Sequence, residues 1–264
     1  MILHFDDTLS DSPHIERVWR SHTERGGEFL SVAGNHFEMV VSRYQGKSFV
    51  TIRGPETHAT PCDCPPGGEW FGIRFKLGTF MPDLPPAQLM DRNDVTLPDA
   101  SSRAFWWNGS AWEYPTFENA DVFVNRLVRK GIVVRDGVVD SALRGEHGGR
   151  SLRSAQRHFL KATGLTHAAL RQIERARYAT MLLTQGVSIL DTVHRTGYSD
   201  QAHLTRSLKY RIGQTPAEIV RGTRQLSYLF KTREFPVVYD RLDYDGIVES
   251  RLRSHGARRA VSGF

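Results

Sequence analysis

The chain has 264 residues, 39% of them apolar and 24% charged, with a net charge of +6 and a pI near 9.5. That length can bury a sizeable core and divides most naturally into two domains. No run of eighteen apolar residues is present, which excludes a spanning helix, and two cysteines exclude disulfide stapling as the stabilising strategy.

The first residues, MILHFDDTLSDSPH, are acidic and lack the apolar core of a secretory leader, so a cytoplasmic protein is expected. Short alternating runs follow at residues 15–19, 37–44, 48–53 and 70–77. They are separated by Gly26-Gly27, Gly34-Asn35, Gly54-Pro55 and the Pro/Gly cluster at 65–68. Period-two alternation between turn clusters predicts antiparallel strands in a sheet or small barrel over residues 1–117. Within it, Arg74 alternates with Ile73 and Phe75. It either faces a barrel interior, where it suits an anionic effector, or is an exposed strand arginine. Adjacent Trp106 and Trp107 cannot both face one side of a strand, so one must lie outside, in a pocket or at an interface. Arg74, Trp106 and Trp107 are therefore the candidate effector residues. His58, Cys62 and Cys64, in H-A-T-P-C-D-C-P-P, are the weak metal candidates, soft enough for zinc or copper. C-x-C is tighter than structural zinc spacing, and no second cysteine pair completes a tetrahedron. Two plain loop thiols and a redox-sensing thiol are the rival readings, and no metal or other cofactor is expected. His14, His22 and His36 read as surface residues. Nucleotide-binding glycine motifs and a G-x-S-x-G elbow are absent.

From Thr116 the spacing turns helical, with Phe117, Ala120, Val124, Leu127 and Val128 ending at Lys130-Gly131 and Thr116 as cap beside Glu118. This connecting helix, within residues 118–135, bridges the domains, builds a dimer seam or packs on its own sheet.

Residues 136–225 carry two similar units. In the first, Val138, Val139, Ala142 and Leu143 face one way and the Gly145 to Gly149 region breaks the helix. Ser151 then caps a second helix with Leu152, Ala155 and Phe159 inward, Arg153, Gln156 and Arg157 outward, and Gly164 as its stop. A longer helix over 166–184, with Leu170, Ile173, Ala176, Ala179, Met181 and Leu183, would span about 25–30 Å. In the second unit Ile189 and Val193 face a core and Gly197 closes the helix. Ser199 or Asp200 caps the next helix, which places Leu204 and Leu208 inward. Gln201, Ala202, Thr205 and Arg206 are left on the opposite side. A buried first helix and a projecting second one are what a helix-turn-helix needs to enter a major groove. Charge follows the same division. Residues 144–233 hold 16 Lys and Arg against 5 Asp and Glu, while the rest of the chain holds 19 against 24. The positive charge sits where phosphates would be met. Beyond residue 226, LSYLF extends a strand or helix, residues 239–252 suit a further helix, and the basic end is loose.

Five ordered signatures, S-x-R-x-x-Q-R-x-F at 151–159, the linker pattern ending at Leu182-Leu183, G-x-S-I at 186–189, G-Y-x-D-Q at 197–201 and G-Q-T-P at 213–216, make residues 136–221 resemble the AraC/XylS family of transcriptional regulators. The resemblance implies an α+β protein: an N-terminal antiparallel β sheet or barrel, cupin-like, followed by an all-α domain with two helix-turn-helix units. It implies base-edge contacts from Arg153, Gln156, Arg157, Gln201, Ala202, Thr205 and Arg206 with double-stranded promoter or operator DNA, and it implies RNA polymerase as a partner. A small-molecule effector and a homodimer are further implied partners, and neither a membrane nor an enzymatic activity is. The cupin metal pattern of H-x-H followed by Glu is absent here. The chain also departs from the family at His194, where a small alanine is usual, which predicts altered packing or shallower docking. Arginine pairs two ways with guanine and glutamine two ways with adenine, so these residue types suit base reading on chemistry alone. The competing class is an enzyme or ligand-binding cupin-like protein tethered to nucleic acid by its basic half.

Overall fold

The computed structural model describes residues 4–92, 94–143 and 151–222. An antiparallel sheet region is followed by helices, and the fold is mixed α+β. The central sheet has six antiparallel strands. They are β1 (His4–Leu9), β2 (Ile15–His22), β7 (Glu69–Phe75), β4 (Glu38–Tyr44), β5 (Lys47–Arg53) and β9 (Val95–Leu97), in that spatial order. β3 (Gly27–Ser31) pairs with β6 (Thr60–Cys64), and β10 (Asp99–Ser101), β11 (Ala104–Trp107) and β12 (Ser110–Glu113) form a meander. Two tight hairpins set register. Gln45-Gly46 and Asn108-Gly109 both have positive φ at each residue, the two-residue turn whose twist matches that of the strands it joins.

Alternation gives the sheet two unlike faces. On one, the cross-strand row Val18, Ile73, Met39 and Ile52 is apolar. It joins a core that includes Phe123, Val124 and Leu127 of α1 (Ala120–Arg129) and Phe105 and Trp112 of the meander. On the other face the matching row is Arg17, Arg74, Glu38 and Arg53. A buried row of charges survives because its members pair. Arg74 Nε donates to Glu38 at 2.6 Å, Arg17 meets Asp7, and Arg53 meets Glu56 at 3.2 Å. On this face too, Gly72 lies under Trp19, whose indole would stand 2.1 Å from any Cβ placed there.

α1 begins later than the spacing predicts. Thr116 does not cap it. Asn119 is the N-cap, and its side chain instead accepts from the Thr116 N–H at 2.8 Å, holding residues 117–119 in a turn. The helix packs on its own sheet.

β13 (Val134–Arg135) pairs with β8 (Thr79–Phe80), which ties the connector to the β region. The helices are α2 (Gly137–Leu143), α3 (Leu152–Thr163), α4 (His167–Thr184), α5 (Ile189–Thr196), α6 (Gln201–Arg211) and α7 (Pro216–Arg221). The glycine break at 145–149 and the tail beyond 222 lie outside the described residues. The core is not divided between the halves. One cluster runs from Ile15 through the sheet to Phe159, Leu165, Leu170 and Ile173, and a second joins Leu30 and Val32 of the β region to Leu183, Leu204, Leu208 and Ile212.

Candidate nucleic-acid interface

Each helix of the C-terminal part is bounded by the chemistry its sequence offers. Ser151, Thr166, Ser188 and Asp200 accept from the backbone N–H three residues on, at the starts of α3, α4, α5 and α6. Gly164 and Gly197 stop α3 and α5 in the left-handed conformation. Of the two cap candidates for α6, Asp200 is the one used. It accepts from His203 N–H at 2.7 Å, and that bond, with the Ser199 hydroxyl, holds its carboxyl below the usual range. Thr215 and Glu218 satisfy each other's backbone N–H in a full capping box on α7.

The turn between α5 and α6 is fixed by Tyr198. Its ring is buried, its hydroxyl lies 2.8 Å from Ser207 Oγ, and the Arg175 guanidinium from α4 stands 4.3 Å above it. Burial raises the phenol above its ordinary value, with Ser207 and Arg175 opposing. Inside the unit, Val193, Leu204, Leu208 and Ile212 close on Ala176, Ala179 and Leu183 of α4. His194 is exposed and the inward positions of α5 are Thr192, Val193 and Thr196, so the altered packing expected at His194 does not arise.

With these faces committed, the opposite ones project. On α3, Arg153, Gln156 and Arg157 are exposed while Ala155 and Phe159 are buried. On α6, Gln201, Ala202 and Arg206 are exposed. Thr205 is half-buried, and its hydroxyl donates back to Gln201 C=O at 2.8 Å. The seven residues thus stand on two helices fastened to α4, whose 18 residues span about 27 Å at ~1.5 Å each.

Between α3 and α4 lies a basin of 750 Å³, lined by Arg153, Gln156 and Arg157 on one wall and His167 and Arg171 on the other. Arg171 was not among the residues singled out by pattern. Its signal is the stripe 167, 168 and 171, opposite the buried 170 and 173.

The β region grips the same helices from behind. Ala33 N–H donates to Arg211 C=O at 2.8 Å and Ala59 N–H to Tyr210 C=O at 3.0 Å, while Arg211 donates to Thr57 C=O at 3.1 Å. The 3-10 turn Pro86–Gln88 lies against Gly164 at the end of α3. His36 is not a surface residue. It is half-buried at this junction, with Arg177 Nη1 of α4 2.6 Å from its Nε2. Desolvation first, then Arg74, Arg177, Arg17 and Arg53, hold its pKa well below the ordinary value. His14 too is half-buried rather than exposed. His22 is exposed and stacks on His4.

Residues 146–222 match a family model described as a helix-turn-helix domain. This segment is an AraC-type helix-turn-helix domain. A similar curated protein is the HTH-type transcriptional regulator RipA of Corynebacterium glutamicum, 34% identical over 74 residues. That alignment takes in 28% of this chain, and the chain spans about a fifth (22%) of the relative's length. No solved structure matches. Within the AraC-type domain the match covers α3 to α7 and so all seven projecting residues.

The other candidates fare differently. Trp106 is 48% exposed and Trp107 7%, the division their adjacency requires. Arg74 faces inward, as one reading had it, and its guanidinium meets Glu38 at 2.6 Å. The open groove of the sheet, 590 Å³ over Phe71, Arg20 and Arg43, is lined by none of the three. Cys62 and Cys64 lie on strand β6 and not in a loop, because they pair with Phe29 and Gly27 of β3. Burial pushes the Cys64 thiol up to about 11, which suppresses the thiolate. His58 turns toward Asp91, 3.4 Å away. Among the described residues, no group of three or more His, Cys, Asp or Glu is arranged to hold a metal ion.

Proposed function

We propose that this protein is a sequence-specific DNA-binding transcriptional regulator that sets α3 and α6 into successive major-groove segments, about one turn (~34 Å) apart. One observation carries the reading. Two helices of an AraC-type domain expose Arg153, Gln156 and Arg157, and Gln201, Ala202 and Arg206, while their opposite faces are buried. Arg157 and Arg206 are the guanine-type readers, Gln156 and Gln201 the adenine-type readers, and the Thr205 methyl suits a thymine methyl. Residues 1–117 act as the sensing or dimerising part, 118–135 as connector, 136–225 as the DNA-binding part and 226–264 as an extension. A small-molecule effector, a second copy of the chain and RNA polymerase are the partners of this reading. A cytoplasmic, non-enzymatic role goes with it. The charged row of the β region supports that role, since its arginines are paired with Asp7, Glu38 and Glu56 in separate ion pairs.

The test is duplex binding by Arg157→Ala and Arg206→Ala, using a promoter fragment recovered by genome-wide mapping of bound sites and a random duplex of equal length. Each substitution is expected to cost ~1–3 kcal/mol on the promoter fragment and to relax preference at particular base pairs. Equal losses on both duplexes would mean that these arginines touch phosphates alone.

A further inference from the structure

The basin between α3 and α4 differs in charge from the groove on the sheet. The groove on the sheet mixes Arg20 and Arg43 with Asp6, Glu69 and Glu118. The basin is lined by Arg153, Arg157 and Arg171, and no described carboxylate faces it. Its hydroxyls are Ser151, Ser154 and Thr166. The positions follow from helix geometry, since 153, 156, 157 and 160 form one stripe of α3 and 167, 168 and 171 the facing stripe of α4. Three guanidiniums gathered in a concavity with no carboxylate among its described lining residues create a local positive potential suited to a tetrahedral oxyanion.

We propose that this basin seats a phosphate, supplied by the DNA backbone, and that Arg171 brings α4 into the interface as a contacting element. This rests on the DNA-reading function above and extends it. The strut between the two reading helices would itself fix register by holding the strand next to the bases that Arg157 and Gln156 meet. Phosphate contacts position a protein on the duplex and carry no sequence information directly. Arg171 should therefore act alike on all sequences, unlike its neighbours across the basin.

The experiment measures full-length protein binding to the mapped promoter fragment and to a random duplex by fluorescence anisotropy across a KCl series. Arg171→Ala is expected to weaken both by the same factor, roughly tenfold for a lost charged hydrogen bond. It should also make the slope of log affinity against log salt shallower by about 0.9, one phosphate. Arg171→Lys should recover most of that slope, and thermal unfolding should be unchanged in both variants. Wild-type affinity and slope in Arg171→Ala would overturn the proposal, as would a loss confined to the promoter fragment. Failure of the wild-type protein to bind either duplex would instead overturn the DNA-reading function. A second arm titrates inorganic phosphate at constant ionic strength. Displacement no greater than by chloride supports the backbone as the source. Displacement that exceeds chloride and vanishes in Arg171→Ala would overturn the backbone assignment in favour of a free anion in the same seat.

Discussion

The junction between the β region and the reading helices makes a graded prediction from three glycines. Gly164, Gly197 and Gly213 have φ of 73°, 68° and 78°, all in the left-handed region. Alanine in that region costs about 1–2 kcal/mol wherever it stands. What differs is the space. A Cβ on Gly197 meets nothing within 4 Å, so Gly197→Ala should lose that strain and nothing more. On Gly164 it would lie 2.9 Å from Pro86 C, 3.0 Å from Ala87 N and 3.1 Å from Pro86 O, all backbone of the 3-10 turn. Backbone cannot swing aside as a side chain can, so an overpacking cost of about 1–3 kcal/mol is added. Gly213 is intermediate, because its 3.1 Å neighbours are Ala59 Cβ and Leu30 Cδ1, and the leucine end can shift. Urea unfolding followed by tryptophan fluorescence would report the order, with Gly164→Ala lowest in midpoint, Gly213→Ala between and Gly197→Ala nearest wild type. Hydrogen exchange at the Leu89 amide, bonded to Pro86 C=O at 3.1 Å, should accelerate in Gly164→Ala alone. Equal losses at Gly164 and Gly197 would refute the close approach of turn and helix.

Phe159→Ala should destabilise by about 3–5 kcal/mol, since Phe159 is fully buried in the cluster that also holds Ile15 and Ile73. Because that cluster spans both halves, chemical unfolding should shift as one transition; two resolved transitions would contradict the shared core. Glu38→Gln removes the carboxylate that Arg74, 3% exposed, meets at 2.6 Å, so a loss of stability is expected, at most about 3–5 kcal/mol. Arg74→Met combined with Glu38→Leu should recover much of it in the same unfolding assay. Arginine has donors only, so its bond to His36 requires the lone pair on Nε2, which protonation removes. The folded pKa of His36 lies below the unfolded value of 6.5. Its contribution is therefore present above pH 6.5 and is lost as pH falls through the folded value. Glu174, whose carboxyl burial raises its pKa, slopes the other way, so the readout is the difference between wild-type and His36→Gln profiles. Parallel profiles would show that His36 does not titrate on unfolding.

What the sequence makes legible is local. The cap at Ser151, the Ser199-Asp200 pair that holds the cap of α6, and the stops at Gly164 and Gly197 declare themselves because their chemistry acts over three or four residues. The outward positions of α3 and α6 follow from the same spacing. The strands at 37–44, 48–53 and 70–77 are legible from alternation, and β6 is not, because its short run T-P-C-D-C lacks an apolar alternation and is held by its pairing with β3. Residues whose role depends on a distant partner are the ones pattern misreads. His36 looks like any loop histidine until Arg177, 141 residues away, is placed beside it. Arg74 looks like a lone strand arginine until Glu38 arrives from the neighbouring strand. Arg171 looks like a solvated linker arginine until α3 closes the other wall of the basin.

The shared core decides how a signal could pass between the halves. A hinged arrangement would join them by a linker and leave each with its own interior. Here Leu30 and Val32 complete the interior of the second helix-turn-helix, and Phe159 completes that of the sheet. The backbone bonds from Ala33 and Ala59 reach the last residues of α6, where orphan carbonyls need donors. A change in the β region that withdrew residues 30–34 or 57–59 would therefore strip both apolar cover and hydrogen bonds from α6 at once. Packed interiors do not deform continuously, so such a change would be stepwise. Any effector of the β region would thus act on DNA binding through the stability and placement of α6, and its differential affinity for the docked and undocked forms would set the size of the response.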